Sequence, residues 1–321
     1  MIEMINLASE LKDVKSAAIA GHIRPDGDCV GSCMGLYLYI KENFPGVEVL
    51  DVYLEEFSES FRIIEGTDSV RHSCGEDRVY DVLFCLDAGD AQRLGGAEKY
   101  LKTAKRSVCI DHHISNRGYA DENMIVPEAS STSELVYGLL EPQKITKAAA
   151  EALYMGIAHD TGVFRYSCAS PETMRIAGEL MAKGIDSSKL VEKTFYQKTY
   201  VQNQILARAL LESILILDKR CIISGLRKKD MDFYGASPMD LEGIVSQMKN
   251  TEGVEVAIFL YESNIQEYKV SMRSNERVDV SAVASYFGGG GHVRAAGCTM
   301  QGSFHDVINN LTLHIERQLD A

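Results

Sequence analysis

Four short apolar runs punctuate the first half of the chain: SAAIA (16–20), VEVLDVYL (47–54), DVLFCL (81–86) and SVCI (107–110). Three of them hand over at once to clusters rich in acids, imidazoles and glycine, namely GHIRPDGDCVGS, DAGDAQRLGG and DHHISN. Helical patterns lie between the runs; in CMGLYLYIKENF, Leu36, Ile40 and Phe44 recur at helical spacing. Near-continuous apolar strands alternating with helices bury both faces of a mostly parallel sheet. The fold class expected is therefore α/β.

Further helices are expected over SSTSELVYGLL, TKAAAEALYMGIAHD and PETMRIAGELMAKG, the last opening on Pro171 and stopping at Gly184. A first domain over residues 1–186 is followed by a polar helical connector over 187–214. Beyond it the texture changes to ILILD, RCIISG, EVAIFLYES and YKVSMRS around a helix at MDLEGIVSQM, ending in the glycine cluster FGGGGHVRAAG. These features predict a smaller α/β domain over 215–321. At 321 residues the chain is long enough for each domain to bury its own core.

Ligands of open α/β sheets bind beyond the carboxyl ends of the parallel strands. His22, Asp26 and Asp28 follow the first run, Asp87 and Asp90 the third, and Asp111, His112 and His113 the fourth; Asp160 closes a helical stretch in GIAHDTGVF. Gathered carboxylates raise one another's pKa by repulsion unless cations compensate. Asp26 and Asp28, two apart around Gly27, can diverge to different ions. Carboxylate oxygen with a minority of imidazole and no thiolate favours Mn²⁺, Mg²⁺ or Fe²⁺ over structural Zn²⁺. Two such ions about 3.5–4 Å apart share a hydroxide and clamp a phosphoryl group, so phosphate-ester hydrolysis is the reaction expected.

A formal net charge of −13 argues against a broad grip on long duplex nucleic acid. The eight cysteines are scattered and read as reduced, mostly buried thiols. No apolar run approaches the ~20 residues of a membrane span, and the start MIEMINLASELKDVKSAA does not look like a secretory signal. A cytoplasmic protein without membrane partners is expected.

HIRPDGDCVGS, CLDAGD, IDHHISN and GIAHDTGVFRYS stand in the order and approximate spacing of the four motifs of the DHH phosphoesterase superfamily, which the chain therefore resembles. MRSNERVDVSAVASYFGGGGHVRAAGC is similar to the signature of its DHH-associated C-terminal domain. The compact two-domain length resembles the NrnA-type oligoribonucleases, which also remove the 3′-phosphate of adenosine 3′,5′-bisphosphate (pAp). The resemblance implies one ion on His22, Asp26 and Asp87 and a second on Asp28, Asp87, His112 and Asp160, with Asp87 bridging. It further implies that His113 faces the scissile phosphate, and that Asp111 orients its neighbours from behind the ligands.

For substrate selection it implies Arg273, Ser274, His292 and the backbone of Gly289, Gly290 and Gly291, joined by Arg24 and Asn116 in the first domain. The substrates implied are short single-stranded RNA or small nucleotides. Dimerisation is implied by the resemblance alone. A cyclic di-AMP or pApA phosphodiesterase of the same superfamily is the alternative reading. An inorganic pyrophosphatase, a long-strand exonuclease of the RecJ type and a nucleotide sensor without turnover are less favoured. Taken singly, Asp90 reads as a helix cap, Cys29 and Cys109 as buried thiols, and His159 as a residue without a role.

Overall fold

Why the apolar runs become strands is visible in their burial: every residue of Val82–Leu86 and Ser107–Asp111 is buried, which only a central strand covered on both faces achieves. The computed structural model describes residues 5–320. The first unit extends to Gln197. It comprises α1 (Leu7–Glu10), β1 (Ser16–Ala20), α2 (Gly27–Asn43), β2 (Val49–Tyr53), β3 (Val82–Leu86), α3 (Glu98–Thr103), β4 (Ser107–Asp111), β5 (Glu122–Ile125), α4 (Thr132–Leu139), α5 (Lys147–Asp160), α6 (Pro171–Met181) and α7 (Ser187–Val191). The five strands form one sheet in the order β2-β1-β3-β4-β5, parallel throughout. The α/β architecture expected from the sequence is present. Strand β5 was not foreseen, because ENMI carries no apolar run and only Met124 in it is buried.

Helices α2 and α5 touch main chain to main chain. A Cβ on Gly31 would lie 2.6 Å from the Ala152 carbonyl oxygen and 2.8 Å from Gly156 Cα, so nothing larger than glycine fits. At Gly35 the same construction meets Leu153 Cδ2 at 2.5 Å. This close crossing fixes the N-terminal turn of α2 relative to the C-terminal half of α5. Leu36 and Ile40, on the same helix, are fully buried in the first core.

The second unit begins at Lys198, inside the stretch expected to be a connector. It holds α8 (Tyr200–Leu211), β6 (Ile214–Ile216), β7 (Cys221–Leu226), α9 (Lys228–Tyr234), α10 (Ile244–Lys249), β8 (Val256–Asn264), β9 (Glu267–Ser274), α11 (Val280–Tyr286), β10 (Gly290–His292), β11 (Ala295–Gln301) and α12 (Phe304–Leu319). The sheet order is β10-β11-β9-β8-β7-β6, antiparallel except between β7 and β8. Ile205 and Ala209 of α8 are wholly buried in this unit, against Ile222, Leu226 and Phe259 among others, so the expected linker helix is part of a domain core. The single helix expected over MDLEGIVSQM is broken: Gly243 has φ +85° and separates a short 3₁₀ turn, Pro238–Leu241, from α10. Helix α12 buries Val307, Ile308, Leu311, Ile315 and Leu319 on one stripe, each worth about 1.5–3 kcal/mol of transfer free energy.

All eight cysteines are free, and six of them are buried. Among the described residues, no helix is long and apolar enough to cross a membrane.

Candidate metal centre

Strand β1 has β2 on one side and β3 on the other, so the chain changes direction across the sheet at the β1/β3 boundary. The carboxyl ends of two such diverging strands leave a crevice for ligands. Here β1 delivers Gly21 and His22, β3 delivers Asp87, and β4 ends on Asp111 followed by His112 and His113. Asp87 adopts φ +56°, a left-handed conformation that Asp tolerates better than most residues. Arg24, in the loop after β1, has φ +55°.

The donors converge in two clusters that share Asp87. Asp87 Oδ2 lies 3.5 Å from His22 Nε2, and Asp26 Oδ1 lies 3.6 Å from the same nitrogen. On the other side, Asp87 Oδ1 lies 3.6 Å from His112 Nε2, which lies 3.0 Å from Asp160 Oδ2. Three sets of donor atoms each fall within 4.8 Å of one another: His22, Cys29 and Asp87; Asp87, His112 and His113; Asp28, His112 and Asp160. Separations near 3.5 Å are long for hydrogen bonds. They match the edge of a coordination polyhedron, about 3.0 Å for octahedral and about 3.4 Å for tetrahedral ligands on bonds of about 2.1 Å.

Asp28 is wholly buried and its carboxylate is cradled by the start of α4: Oδ2 accepts from Thr132 N at 2.7 Å and Oδ1 from Ser133 N at 2.9 Å. The Thr132 hydroxyl donates to Asp87 Oδ1 at 3.0 Å. Gly156 of α5 faces this corner, where a Cβ would lie 2.8 Å from Asp28 Oδ1. Asp26 caps α2, its Oδ1 accepting from Asp28 N and Cys29 N.

Burial pushes the Asp28 carboxyl well above the usual range, reinforced by the charges of Asp87 and Asp160. Burial likewise raises Asp160, opposed by His112 and helped by Asp26 and Asp87. Burial works against protonation of His22, but Cys29, Asp26 and Asp87 carry it upward; since the Cys29 thiol is itself pushed far up by burial and is neutral, the two carboxylates are the effective cause. A knot of mutually repelling acids, with Asp28 and Asp87 buried at its centre, is relieved by cations, and the donor set suits divalent ions.

Behind the ligand atoms runs a polar chain. His113 Nδ1 lies 2.7 Å from Asp111 Oδ1, and Asp111 Oδ2 accepts from Asn116 Nδ2 at 2.7 Å. Burial raises the Asp111 carboxyl, but the bonds from His113 and Asn116 bring it below the ordinary value. Burial lowers His113, and Asp111 and Asp87 outweigh it, so its pKa is raised. Asn116 is buried and its amide is committed to Asp111, Ala88 O and Gly118 N. In this geometry Asn116 holds Asp111 in place.

Asp90 caps the 3₁₀ turn Ala91–Ala97, accepting from Arg93 N. Arg24 is exposed, its backbone N–H bound to Glu55 Oε2. Thr132 and Ser133 were missed by sequence reasoning. The only hint was a helix-cap pattern in SSTSE, which says nothing of an approach to Asp28 across 104 positions.

The remaining candidates lie in the second unit. Arg273 and Ser274 close β9; Ser274 is buried, its Oγ 3.5 Å from Val293 O and from Arg294 Nη1. The glycines are a strand rather than a free loop: Gly290, Gly291 and His292 pair with Gly297, Ala296 and Ala295. A Cβ at Gly289 would lie 2.2 Å from Gly297 O, and at Gly291, where φ is +143°, 2.4 Å from Ala295 O. Close main-chain packing therefore requires glycine at these two positions. Gly290 alone of the three faces open space.

Residues 16–157 match the DHH family, N-terminal domain, and residues 219–320 match the DHHA1 domain. The bifunctional oligoribonuclease and PAP phosphatase NrnA of Bacillus subtilis is 29% identical over 288 residues, covering 87% of each chain. The protein of the same name from Thermus thermophilus is 27% identical over 307 residues, 94% of this chain and 89% of that one. The crystal structure of an exopolyphosphatase-related protein from Bacteroides fragilis superposes with a TM-score of 0.87 at 24% identity, covering 97% of this chain and 94% of that chain, and so shares its fold.

Proposed function

We propose, for a chain whose two domains belong to the DHH and DHHA1 families, that it is a divalent-metal phosphoesterase hydrolysing short oligoribonucleotides and removing the 3′-phosphate of pAp. The observation that carries the reading is Asp87, whose two carboxylate oxygens face two different imidazoles, His22 and His112, at 3.5 and 3.6 Å. One ion would be held by His22, Asp26 and Asp87, the other by Asp28, Asp87, His112 and Asp160. Bound divalent ions, Mn²⁺ by the balance of donors, would supply Lewis-acid activation of water and neutralise charge on the phosphoryl oxygens. The substrate class is supported by the two NrnA relatives, of whose length this chain covers 87% and 89%.

The chain's own residues do the rest. Asp111 accepts the Nδ1 proton of His113, which leaves Nε2 to hold the mobile proton. Its raised pKa favours the imidazolium, able to stabilise phosphoryl charge and protonate the leaving oxygen. Asn116 and Asp111 keep that ring in one tautomer and orientation. In the DHHA1 domain, Arg273, with Ser274, His292 and the main chain around Gly290, forms the substrate-selecting group, the guanidinium serving as the phosphate partner.

The test is a panel of pAp, a five-nucleotide RNA, pApA and cyclic di-AMP assayed with Mn²⁺ on the wild type and on Asp87→Ala. The wild type should turn over pAp and the short RNA with the highest kcat/KM. The variant should lose at least ~10³-fold, having lost a ligand to each ion. Preferred cleavage of cyclic di-AMP would overturn the substrate assignment, and an Asp87→Ala enzyme retaining most of its activity would overturn the shared ligand.

A further inference from the structure

We infer that His159, the neighbour of Asp160 in α5, is a positioning residue for the turn Asp26–Gly27–Asp28; this rests on the metal-binding reading of that turn. Gly27 stands between the two acids. A Cβ built on it would lie 2.2 Å from His159 Cγ, 2.4 Å from Nδ1 and 2.6 Å from Cβ. The imidazole therefore occupies the space over Gly27 and lies directly against the main chain of the turn.

The ring is held from its far side as well. His159 Nε2 lies 3.0 Å from Thr194 Oγ1, and that hydroxyl donates to the Leu190 carbonyl oxygen at 2.8 Å. A hydroxyl has a single proton to give, so Thr194 accepts from His159, and the N–H sits on Nε2. Phe61 and Phe195 meet the imidazole nearly perpendicular, with centroids 5.1 and 5.3 Å away. Thr194 and Phe195 both belong to a π-helical turn, Glu192–Tyr196, an uncommon conformation often found at functional sites.

The turn is thus pinned twice. Inside, Asp26 Oδ1 accepts from Asp28 N and Cys29 N; outside, an immobilised imidazole presses on Gly27. Since His159 and Asp160 are consecutive in one helix, the same backbone that carries Asp160 sets the height of Asp26 and Asp28. His159 acts on ion affinity through the spacing of ligands, without touching an ion.

The test is calorimetric titration of Mn²⁺ into the chelator-treated full chain, for the wild type, His159→Ala, His159→Gln and Thr194→Val, with thermal unfolding of each in the metal-free form. His159→Ala should weaken Mn²⁺ binding by ~10–100-fold, as loss of a supporting partner does at metal sites. Thr194→Val should weaken it in the same direction by less. His159→Gln, whose amide can still donate to Thr194, should recover part of the loss. A merely structural histidine would lower the metal-free melting temperature and leave every Mn²⁺ dissociation constant within twofold of wild type; that result overturns the inference. If His159→Ala fails to fold, the other two variants decide by the same criterion. A wild-type chain that binds no Mn²⁺ would instead sink the metal-binding reading itself.

Discussion

Thr132→Val separates the two acids that the start of α4 supports. The Thr132 amide serves Asp28 and survives the substitution, whereas its hydroxyl serves Asp87 Oδ1 at 3.0 Å and does not. Asp87 Oδ1 also lies 3.6 Å from His112 Nε2 and 3.7 Å from His113 Nδ1, both beyond ordinary hydrogen-bond reach, so the threonine supplies the short contact on that oxygen. Thr132 is fully buried and the Asp87 side chain is 3% exposed, so water cannot easily take the place of the hydroxyl.

A hydrogen bond to a charged acceptor is worth about 1.5–3 kcal/mol. At about 1.4 kcal/mol per tenfold, its loss predicts Mn²⁺ affinity lower by roughly 10–100-fold, the range seen when the partner of a metal ligand is removed. Calorimetric titration of chelator-stripped protein measures this directly, and turnover of pAp against Mn²⁺ concentration checks it. The variant should approach wild-type kcat once Mn²⁺ is saturating. A dissociation constant within twofold of wild type, or a loss of turnover that excess Mn²⁺ does not repair, would refute the reasoning.

Asn116→Ala removes the donor to Asp111 Oδ2, and kcat should fall by ~10–100-fold with little change in Mn²⁺ affinity; an unchanged kcat would show that Asp111 needs no support. Arg273→Ala should raise KM for pAp by about tenfold or more while kcat changes less, a split read from steady-state kinetics; equal loss in kcat and kcat/KM would contradict a binding role. The Asp81 carboxylate accepts from Lys105 Nζ, Lys15 N and Ser16 N and is held well below the usual range, chiefly by the lysine. Because its folded pKa is depressed, its contribution is present above the unfolded value near 3.9 and is lost as pH falls toward the folded one. Asp81→Ala should cost about 2 kcal/mol at pH 7 in urea unfolding, and the gap from wild type should narrow between about pH 4 and pH 2; a gap independent of pH would exclude the carboxylate as its cause.

Much of the candidate site could be read in the sequence because β3 and β4 are fully covered strands, and β1 nearly so, whose apolar runs stop where the polar loops start. The handover from Leu86 to Asp87 is visible as a change of chemistry between adjacent letters. Strand β5 was invisible for the opposite reason: it lies at the sheet edge, with Glu122 and Asn123 exposed. The approach of Thr132 to Asp87 depends on how a distant helix is docked, which residue periodicity does not encode. The bond from Asn116 to Asp111 was not legible either, because an amide in a loop looks the same whether it faces solvent or a buried carboxylate. Nothing in the run of glycines before His292 shows that Gly289 and Gly291 are demanded by neighbouring carbonyl oxygens, a requirement set by main-chain pairing.

The absence of side chains where α2 crosses α5 bears on how the protein can vary. Rotamers can shift to absorb many substitutions in a core, but a gap set by Gly31 against the Ala152 carbonyl has no rotamer to adjust. Asp28 and Asp160 lie at the same end of this crossing, where Gly27 packs against His159, and the distance between the two acids behaves as a gauge cut into the backbone. Substitutions around the two helices can therefore be met by repacking of neighbouring side chains, while a single added methyl at the crossing would drive the helices apart and carry Asp28 away from Asp160.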